Sequence, residues 1–226
     1  MPYMKHFISL NECVERFADD IAICLRRALE KRGEASLAVS GGRTPQHIFP
    51  ILGAMPLAWD KVSITLADER WVDADDPDSN EGLARRLLLQ GPASKACFVG
   101  LKTPHAEPFD GQDECEANLG ELNWPLDAMF LGMGEDGHIA SLFTATKDWI
   151  DAPGRALGVN ASQGRQARMS LTPRALLESR QIFLFISGPD KRATFDAAME
   201  PGLVEEFPVR LILHQDQVPV TLYVVD

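Results

Sequence analysis

A short segment of the chain carries a carboxylate and an imidazole two residues apart among glycines, a combination able to perform acid–base chemistry. Its polar and glycine residues are Gly132, Gly134, Asp136, Gly137 and His138. A neighbouring carboxylate can select the tautomer of an imidazole and raise its basicity, as a general base near neutral pH requires. The segment therefore indicates a general base, although a capped turn with an exposed histidine is the commoner explanation of an isolated Asp-Gly-His.

The element before this segment would place it at the edge of a sheet. The apolar run Ala128 to Leu131 is typical of a parallel strand that is buried on both faces, and it ends at Gly132. In open α/β sheets, ligands bind beyond the carboxyl ends of the strands. Glycines there let the backbone approach a ligand closely, so we expect Gly134 and Gly137 to help bind one.

Three other predicted strands also end in polar residues. Ala35 to Val39 leads into Ser40-Gly41-Gly42-Arg43-Thr44-Pro45, Val62 to Leu66 into Asp68-Glu69-Arg70, and Gln181 to Ser187 into Gly188-Pro189-Asp190-Lys191. Thr44 as N-cap and Pro45 at the first helical position predict a helix start. A glycine pair before a helix N-terminus, next to an arginine, can bind an anion. Convergence of these ends would collect Arg43, Arg70, Arg168 and Lys191 beside His138.

Alternating strand and helix patterns predict the fold class. We expect an α/β protein, a three-layer α/β/α sandwich with a mostly parallel, Rossmann-like sheet, in a single domain over residues 1–226. The other predicted helices are Ser9 to Gly33, Thr44 to about Leu52, Ser79 to about Gln90, one ending near Leu122, Pro173 to Ser179 and one from Pro189. The other predicted strands are Cys97 to Gly100, Arg168 to Thr172 and Val218 to Asp226. Thr144 to Gly164 is predicted to be a long loop over the site.

Composition limits the partners. The 226 residues carry a formal net charge of −11, which argues against nucleic acid and anionic membranes as main partners. The four cysteines (Cys13, Cys24, Cys97 and Cys115) have no Cys-x-x-Cys spacing, so reduced thiols are expected, without a metal or redox site. Met1 to Asn11 lacks a signal-peptide pattern, and no run reaches membrane-spanning length. We expect a cytoplasmic protein, with His105 at the surface.

Taken together, these motifs resemble the 6-phosphogluconolactonase family. The matching parts are Ser40 to Pro45, Asp68 to Val72, Ser79-Asn80, Gly132 to His138, Ala140 to Phe143, Arg168 to Thr172 and Gly188 to Lys191. They occur in the family's order across most of the chain. The family shares its fold with glucosamine-6-phosphate deaminases and ribose-5-phosphate isomerases, which agrees with the fold class expected above.

The resemblance implies hydrolysis of a phosphosugar lactone, 6-phospho-D-glucono-1,5-lactone, without a metal or cofactor. His138, oriented by Asp136, would activate water. The phosphate clamp would consist of Ser40, Gly41, Gly42, Arg43, Thr44, Arg168 and Lys191. Arg70 or loop N–H groups would stabilise the oxyanion, and Asp68 would hold Arg70 or a sugar hydroxyl. We expect a monomer or a weak homo-oligomer.

Some positions depart from the family pattern, and two alternative functions stay open. Ile139, Thr144, Ser170 and Leu222-Tyr223 stand where the lactonases usually have Thr, Pro, Thr and a Trp. A sugar-phosphate isomerase or deaminase of the same fold is the first alternative. It is disfavoured because Ser141 to Thr144 lacks the carboxylate of the deaminases' Phe-Asn-Glu-Pro. A non-catalytic sugar-phosphate sensor is the second, and it would not need Asp136 and His138.

Overall fold

A seven-stranded parallel sheet forms the centre of the molecule. The computed structural model describes residues 2–144, 146–162 and 164–225. Along the sheet, the strand order is β1-β10-β9-β6-β2-β3-β5. The strands are β1 (Tyr3–Phe7), β2 (Ala35–Val39), β3 (Val62–Leu66), β5 (Cys97–Val99), β6 (Ala128–Gly132), β9 (Ile182–Ser187) and β10 (Val220–Val225). All pairings between neighbours in this sheet are parallel, so their carboxyl ends lie at one edge.

Helices cover the sheet and complete the predicted three-layer α/β/α sandwich. They are α1 (Leu10–Arg32), α2 (Pro45–Gly53), α3 (Asn80–Leu87), α4 (Gln112–Leu119), α5 (Pro173–Leu177), α6 (Pro189–Met199) and α7 (Arg210–Leu213). Every residue of β2 is buried, which requires cover on both faces. On one face, Phe17 of α1 packs edge-on against Phe130, Phe185 and Tyr223. The described part of the chain contains no helix that is both long and apolar enough to cross a membrane.

The longest predicted helix is confirmed together with its ends. Ser9 Oγ accepts a hydrogen bond from Glu12 N at 3.4 Å, and Gly33 closes the helix with a φ of 79°. The expected stripe is buried because Val14, Phe17 and Ile21 face the sheet, at the spacing of an amphipathic helix. The predicted cap of α3 is also confirmed, since Ser79 Oγ accepts from Gly82 N at 3.0 Å.

One local prediction is confirmed only in part and another is wrong. The helix α2 begins at Pro45 after Thr44, as predicted, but the Thr44 side chain accepts no capping bond, because Thr44 already has helical backbone angles in a turn that starts at Arg43. The helix from Ser79 ends at Leu87 rather than near Gln90, since Leu88 starts an irregular turn. The prediction that the last strand reaches Asp226 falls outside the described residues.

A second, antiparallel sheet was not predicted. It consists of β4 (Asp68–Arg70), β8 (Arg168–Leu171) and β7 (Ala156–Val159), in the order β4-β8-β7. β7 lies inside the segment Thr144 to Gly164, for which the sequence pattern predicts only a long loop. Ala67 marks the transition between the sheets: its N–H donates to Val39 O at 2.8 Å and its carbonyl accepts from Leu171 N at 2.9 Å. β1 and α7 were not predicted either.

Candidate active site

The predicted polar clusters meet in one cleft at the carboxyl edge of the parallel sheet. The cleft has a volume of about 990 Å³. Its lining includes Ser40, Gly41, Gly42, Arg43, Thr44, Asp68, Arg70, Gly134, Asp136, His138, Arg168 and Lys191. The exception is Gly137, which was predicted to help bind the ligand. It lies against Phe207 instead, and its carbonyl accepts from Val209 N, because the loop turns away from the cleft at this residue.

Asp136 and His138 form a side-chain pair in the loop after β6. Asp136 Oδ1 hydrogen-bonds to His138 Nδ1 and accepts from His138 N at 3.3 Å. An ionised carboxylate only accepts, so Nδ1 carries the proton and Nε2 is the nitrogen able to take one. Partial burial acts to raise the pKa of Asp136, but the hydrogen bond and charge of His138, with Arg165, hold that pKa well below its usual range. The pair therefore has the arrangement of a general base and its orienting acid.

Gly134 makes this arrangement possible. A Cβ atom at this position would lie 2.1 Å from His138 Nδ1 and 2.8 Å from Asp136 Oδ1. Real side chains do not approach so closely. The glycine is thus required because the imidazole lies directly against the backbone, a reason that the spacing of the motif did not reveal.

The loop between β2 and α2 borders the cleft on one side. Ser40 Oγ donates to Phe130 O at 3.1 Å, which ties this loop to β6. Gly41 lies against Asn80, where a Cβ atom would come within 1.8 Å of Asn80 Oδ1. The side chain of Arg43 is exposed, with its guanidinium 3.9 Å from Glu135 Oε1. This long separation from an exposed acid leaves Arg43 available to an anionic ligand.

Lys191 extends into the same part of the cleft from the first turn of α6. Burial and the charge of Arg43 lower its pKa, while Glu135 opposes that effect. Two cations close enough to repel each other, at the positive end of a helix, form a local excess of positive charge in an acidic protein.

Asp68, Arg70 and Arg168 border the opposite side, where β4 pairs with β8. Asp68 Oδ2 accepts from Arg168 Nη1 at 3.2 Å and from Ser141 Oγ at 2.6 Å. Of the two roles predicted for Asp68, holding Arg70 is therefore wrong, and binding a sugar hydroxyl stays a prediction. Arg70 Nη1 instead donates to Asn80 Oδ1 at 2.9 Å, while Arg168 and Ser141 occupy Asp68 Oδ2.

Glu69 stabilises the side of the cleft that Asp68, Arg70 and Arg168 border, from the interior of the protein. Its carboxylate is fully buried and accepts from Ser79 Oγ at 2.9 Å, Asn80 N at 2.8 Å and Glu81 N at 2.7 Å. Burial raises the pKa of Glu69, and these hydrogen bonds oppose the rise. Glu69 joins the start of α3 to β4 and so holds Asn80 against Arg70.

Several site residues were given no role by the sequence analysis. They are Asn80, Ser141, Phe143 and Arg165. Asn80, Ser141 and Phe143 lie within motifs that carried the family resemblance, but nothing in their spacing indicated a contact. Arg165 had no signal, because it lies between the predicted loop Thr144 to Gly164 and the predicted strand that begins at Arg168. His105 is a surface residue, as predicted, and no disulfide joins the four cysteines of the described chain.

The fold and the cleft define a class: an α/β protein with an acid–base pair and several cations at the carboxyl edge of a parallel sheet, suited to an anionic small molecule. More narrowly, the chain belongs to the glucosamine-6-phosphate isomerase/6-phosphogluconolactonase family, whose model matches residues 9–221.

Individual relatives agree with this membership. A Mesorhizobium japonicum protein named 6-phosphogluconolactonase is 42% identical over 211 residues, with 91% of this chain and 88% of the relative covered. One from Pseudomonas aeruginosa is 39% identical over 221 residues, with 95% and 91% covered. The crystal structure of a 6-phosphogluconolactonase from Shewanella baltica superposes with a TM-score of 0.97 at 36% identity, covering 100% of this chain and 98% of that one.

Proposed function

We propose that this protein is a hydrolase that converts 6-phospho-D-glucono-1,5-lactone to 6-phospho-D-gluconate in the oxidative pentose phosphate pathway. The observation that carries the proposal is the Asp136–His138 pair in a cleft bordered by Arg43, Arg70, Arg168 and Lys191. Relatives that cover nearly the whole chain are named for this activity. The substrate requires a base for water and cations for its phosphate, and the cleft contains both.

In the proposed reaction, His138 removes a proton from water as the oxygen attacks the lactone carbonyl carbon. The tetrahedral intermediate then expels the ring oxygen, which takes the proton from the imidazolium and becomes a hydroxyl group. Asp136 keeps Nδ1 protonated, so Nε2 performs both transfers. General base catalysis of this kind contributes roughly 10²–10⁴-fold to the rate.

The cations that border the cleft would bind the phosphate and stabilise the oxyanion. We assign the phosphate to the Ser40–Thr44 loop, Arg43, Lys191 and Arg168. Charge-assisted hydrogen bonds of this type contribute about 1.5–3 kcal/mol each. Arg70, which Asn80 holds at the cleft edge, is assigned to the developing oxyanion together with loop N–H groups. Asp68 would position Arg168 rather than Arg70.

The isomerase or deaminase alternative finds little support in the segment after His138. Ser141 donates its hydroxyl to Asp68 and Phe143 packs against the His138 ring at 4.8 Å, so this segment brings no carboxylate to the substrate. A sensor without catalysis is disfavoured because Asp136 and His138 are held in a reactive arrangement that binding alone does not need.

The test is acid release from freshly generated 6-phosphoglucono-δ-lactone at mildly acidic pH, where spontaneous hydrolysis is slow, with wild type and His138→Ala. We expect rapid hydrolysis by wild type and a loss of roughly 10²–10⁴-fold in kcat in the variant, with KM little changed. His105→Gln, outside the cleft, is the matched control and should retain the wild-type rate. Binding of the phosphosugar without hydrolysis by the wild type would overturn the proposal in favour of the alternatives.

We also propose a cytoplasmic location and a monomeric or weakly associating state. The unpaired thiols of Cys13 and Cys115 are buried, as expected of a protein from a reducing compartment. Cell fractionation and sedimentation at micromolar concentration test these two points.

A further inference from the structure

Arg165 contacts the carboxylate oxygen of Asp136 that His138 leaves free. Asp136 Oδ1 bonds to the imidazole, and Arg165 Nη2 donates to Oδ2 at 2.9 Å. The carboxylate is therefore held on both sides, by the base itself and by a guanidinium that is separated from it by 29 positions in the chain. Of the lysine and arginine side chains in the described ranges, Arg165 alone has a hydrogen bond or ion pair to Asp136.

Phe143 holds Arg165 in place. The guanidinium carbon lies 4.3 Å from the centroid of the Phe143 ring, and the His138 ring packs on the same phenyl group at 4.8 Å. The backbone of Arg165 is fixed as well, since it exchanges hydrogen bonds of 2.8 and 3.1 Å with Ser162. A cation stacked on an aromatic ring and bound to a carboxylate has little rotational freedom.

We propose that Arg165 is a positioning residue for the general base: it fixes the orientation of Asp136 and moderates the negative charge that Asp136 presents to His138. This inference rests on the proposed function, in which His138 activates water. It makes the segment before β8, which carries Arg165, part of the acid–base apparatus.

The direction of the electrostatic effect follows from the charges around the pair. The other charged groups that border the cleft are Glu135 beside Asp136, Arg43 after β2, Asp68 and Arg70 on β4, Arg168 on β8 and Lys191 on α6. Among the lysines and arginines of the described residues, Arg165 is the one bound directly to this carboxylate. Without it, the full negative charge of Asp136 would act on the imidazolium that forms during the reaction.

The experiment compares Arg165→Met and Arg165→Lys with wild type, using two readouts. The first is the pH profile of kcat/KM for the lactone. In Arg165→Met we expect a loss of about tenfold, mainly in kcat, and a rise of at least ~0.5 pH unit in the acid limb. Arg165→Lys keeps the positive charge and should return the acid limb of the pH profile to its wild-type position. Lys147→Met, which removes an exposed cation from the connection between β6 and β7, should match wild type.

The second readout does not depend on catalysis. In protein labelled with ¹⁵N-histidine, with the His138 signals assigned from His138→Gln, we expect the ring to take up its proton at higher pH in Arg165→Met than in wild type. If Arg165→Met raised KM and left the acid limb of the pH profile unchanged, Arg165 would instead bind the substrate. If the titration of the His138 ring were the same in Arg165→Met and wild type, Arg165 would have no electrostatic effect on the base. Either result overturns the inference. If no variant or wild type hydrolyses the lactone but the ring titration shifts, the proposed function fails while the positioning role of Arg165 stands.

Discussion

Arg70 and Arg168 lie directly opposite each other in the antiparallel pairing of β4 with β8. Like charges at opposed positions of an antiparallel pair destabilise it. The Nε atoms of both arginines are buried and have no hydrogen-bond partner among the described residues. Asp68 compensates only Arg168, so this side of the cleft keeps a positive charge that an anion can neutralise.

Phosphate binding should therefore stabilise the protein. We expect inorganic phosphate or 6-phosphogluconate to raise Tm, since a ligand at 100 times its Kd adds about 2.7 kcal/mol to the free energy of unfolding. Arg168→Met should lose most of this increase, whereas Arg26→Met, on the exposed surface of α1, should keep it. Differential scanning fluorimetry over a ligand series measures the effect. An unchanged ligand-induced shift in Arg168→Met would remove Arg168 from the clamp.

Gly134 provides a steric test of the base. Gly134→Ala would place a Cβ atom 2.1 Å from the His138 ring, so the ring or the loop must move. We expect kcat/KM to fall at least ~100-fold, the lower range for the loss of a general base. Gly132→Ala is the matched control, because a Cβ atom there has no neighbour within 4 Å. Wild-type kinetics in Gly134→Ala would contradict the described geometry of the pair.

Replacing Asp68 tests how much its ion pair with Arg168 contributes to the stability of the protein. Asp68→Asn keeps the size of the side chain but leaves the largely buried guanidinium of Arg168 without its anion. We expect the free energy of unfolding to fall by about 2–4 kcal/mol, measured by urea titration. Asp60→Asn, at an exposed position, should change it by less than ~0.5 kcal/mol. Equal stabilities of the two variants would show that the ion pair contributes nothing net.

The lowered pKa of Asp136 makes the free energy of unfolding depend on pH. Its pKa is lower in the folded protein than in the unfolded chain, so the ionised form is preferentially stabilised by folding. This contribution is complete above the unfolded pKa, near pH 4, and is lost as the pH falls below it. The difference in unfolding free energy between wild type and Asp136→Asn should therefore be largest at neutral pH and shrink progressively as the pH falls below about 4. A difference independent of pH would refute the lowered pKa.

How far the sequence predicts this protein depends on how local each signal is. The start of α1 at Ser9, its end at Gly33 and the buried runs of β2, β6 and β9 follow from residues within a few positions of one another. β4 escaped prediction because it has only three residues and its pairing partner, β8, is distant in the chain. β7 escaped prediction because its four residues lie in a segment whose composition is typical of a loop. Thr44 and Pro45 also locate the start of α2 correctly, although the Thr44 side chain makes no capping bond because the backbone already turns at Arg43 and Thr44.

By itself, the sequence determined the α/β class, the order of the motifs and the edge of the sheet at which they meet, since these depend on hydrophobic periodicity and on which residue types follow each strand. Apart from the Asp136–His138 pair, only the tertiary structure decided which side chains of the cleft contact each other. Asp68 binds Arg168 across 100 positions, Asp136 binds Arg165 across 29, and Gly41 lies against Asn80. Such contacts arise when separate strands and loops pack together, and no pattern within one segment encodes them.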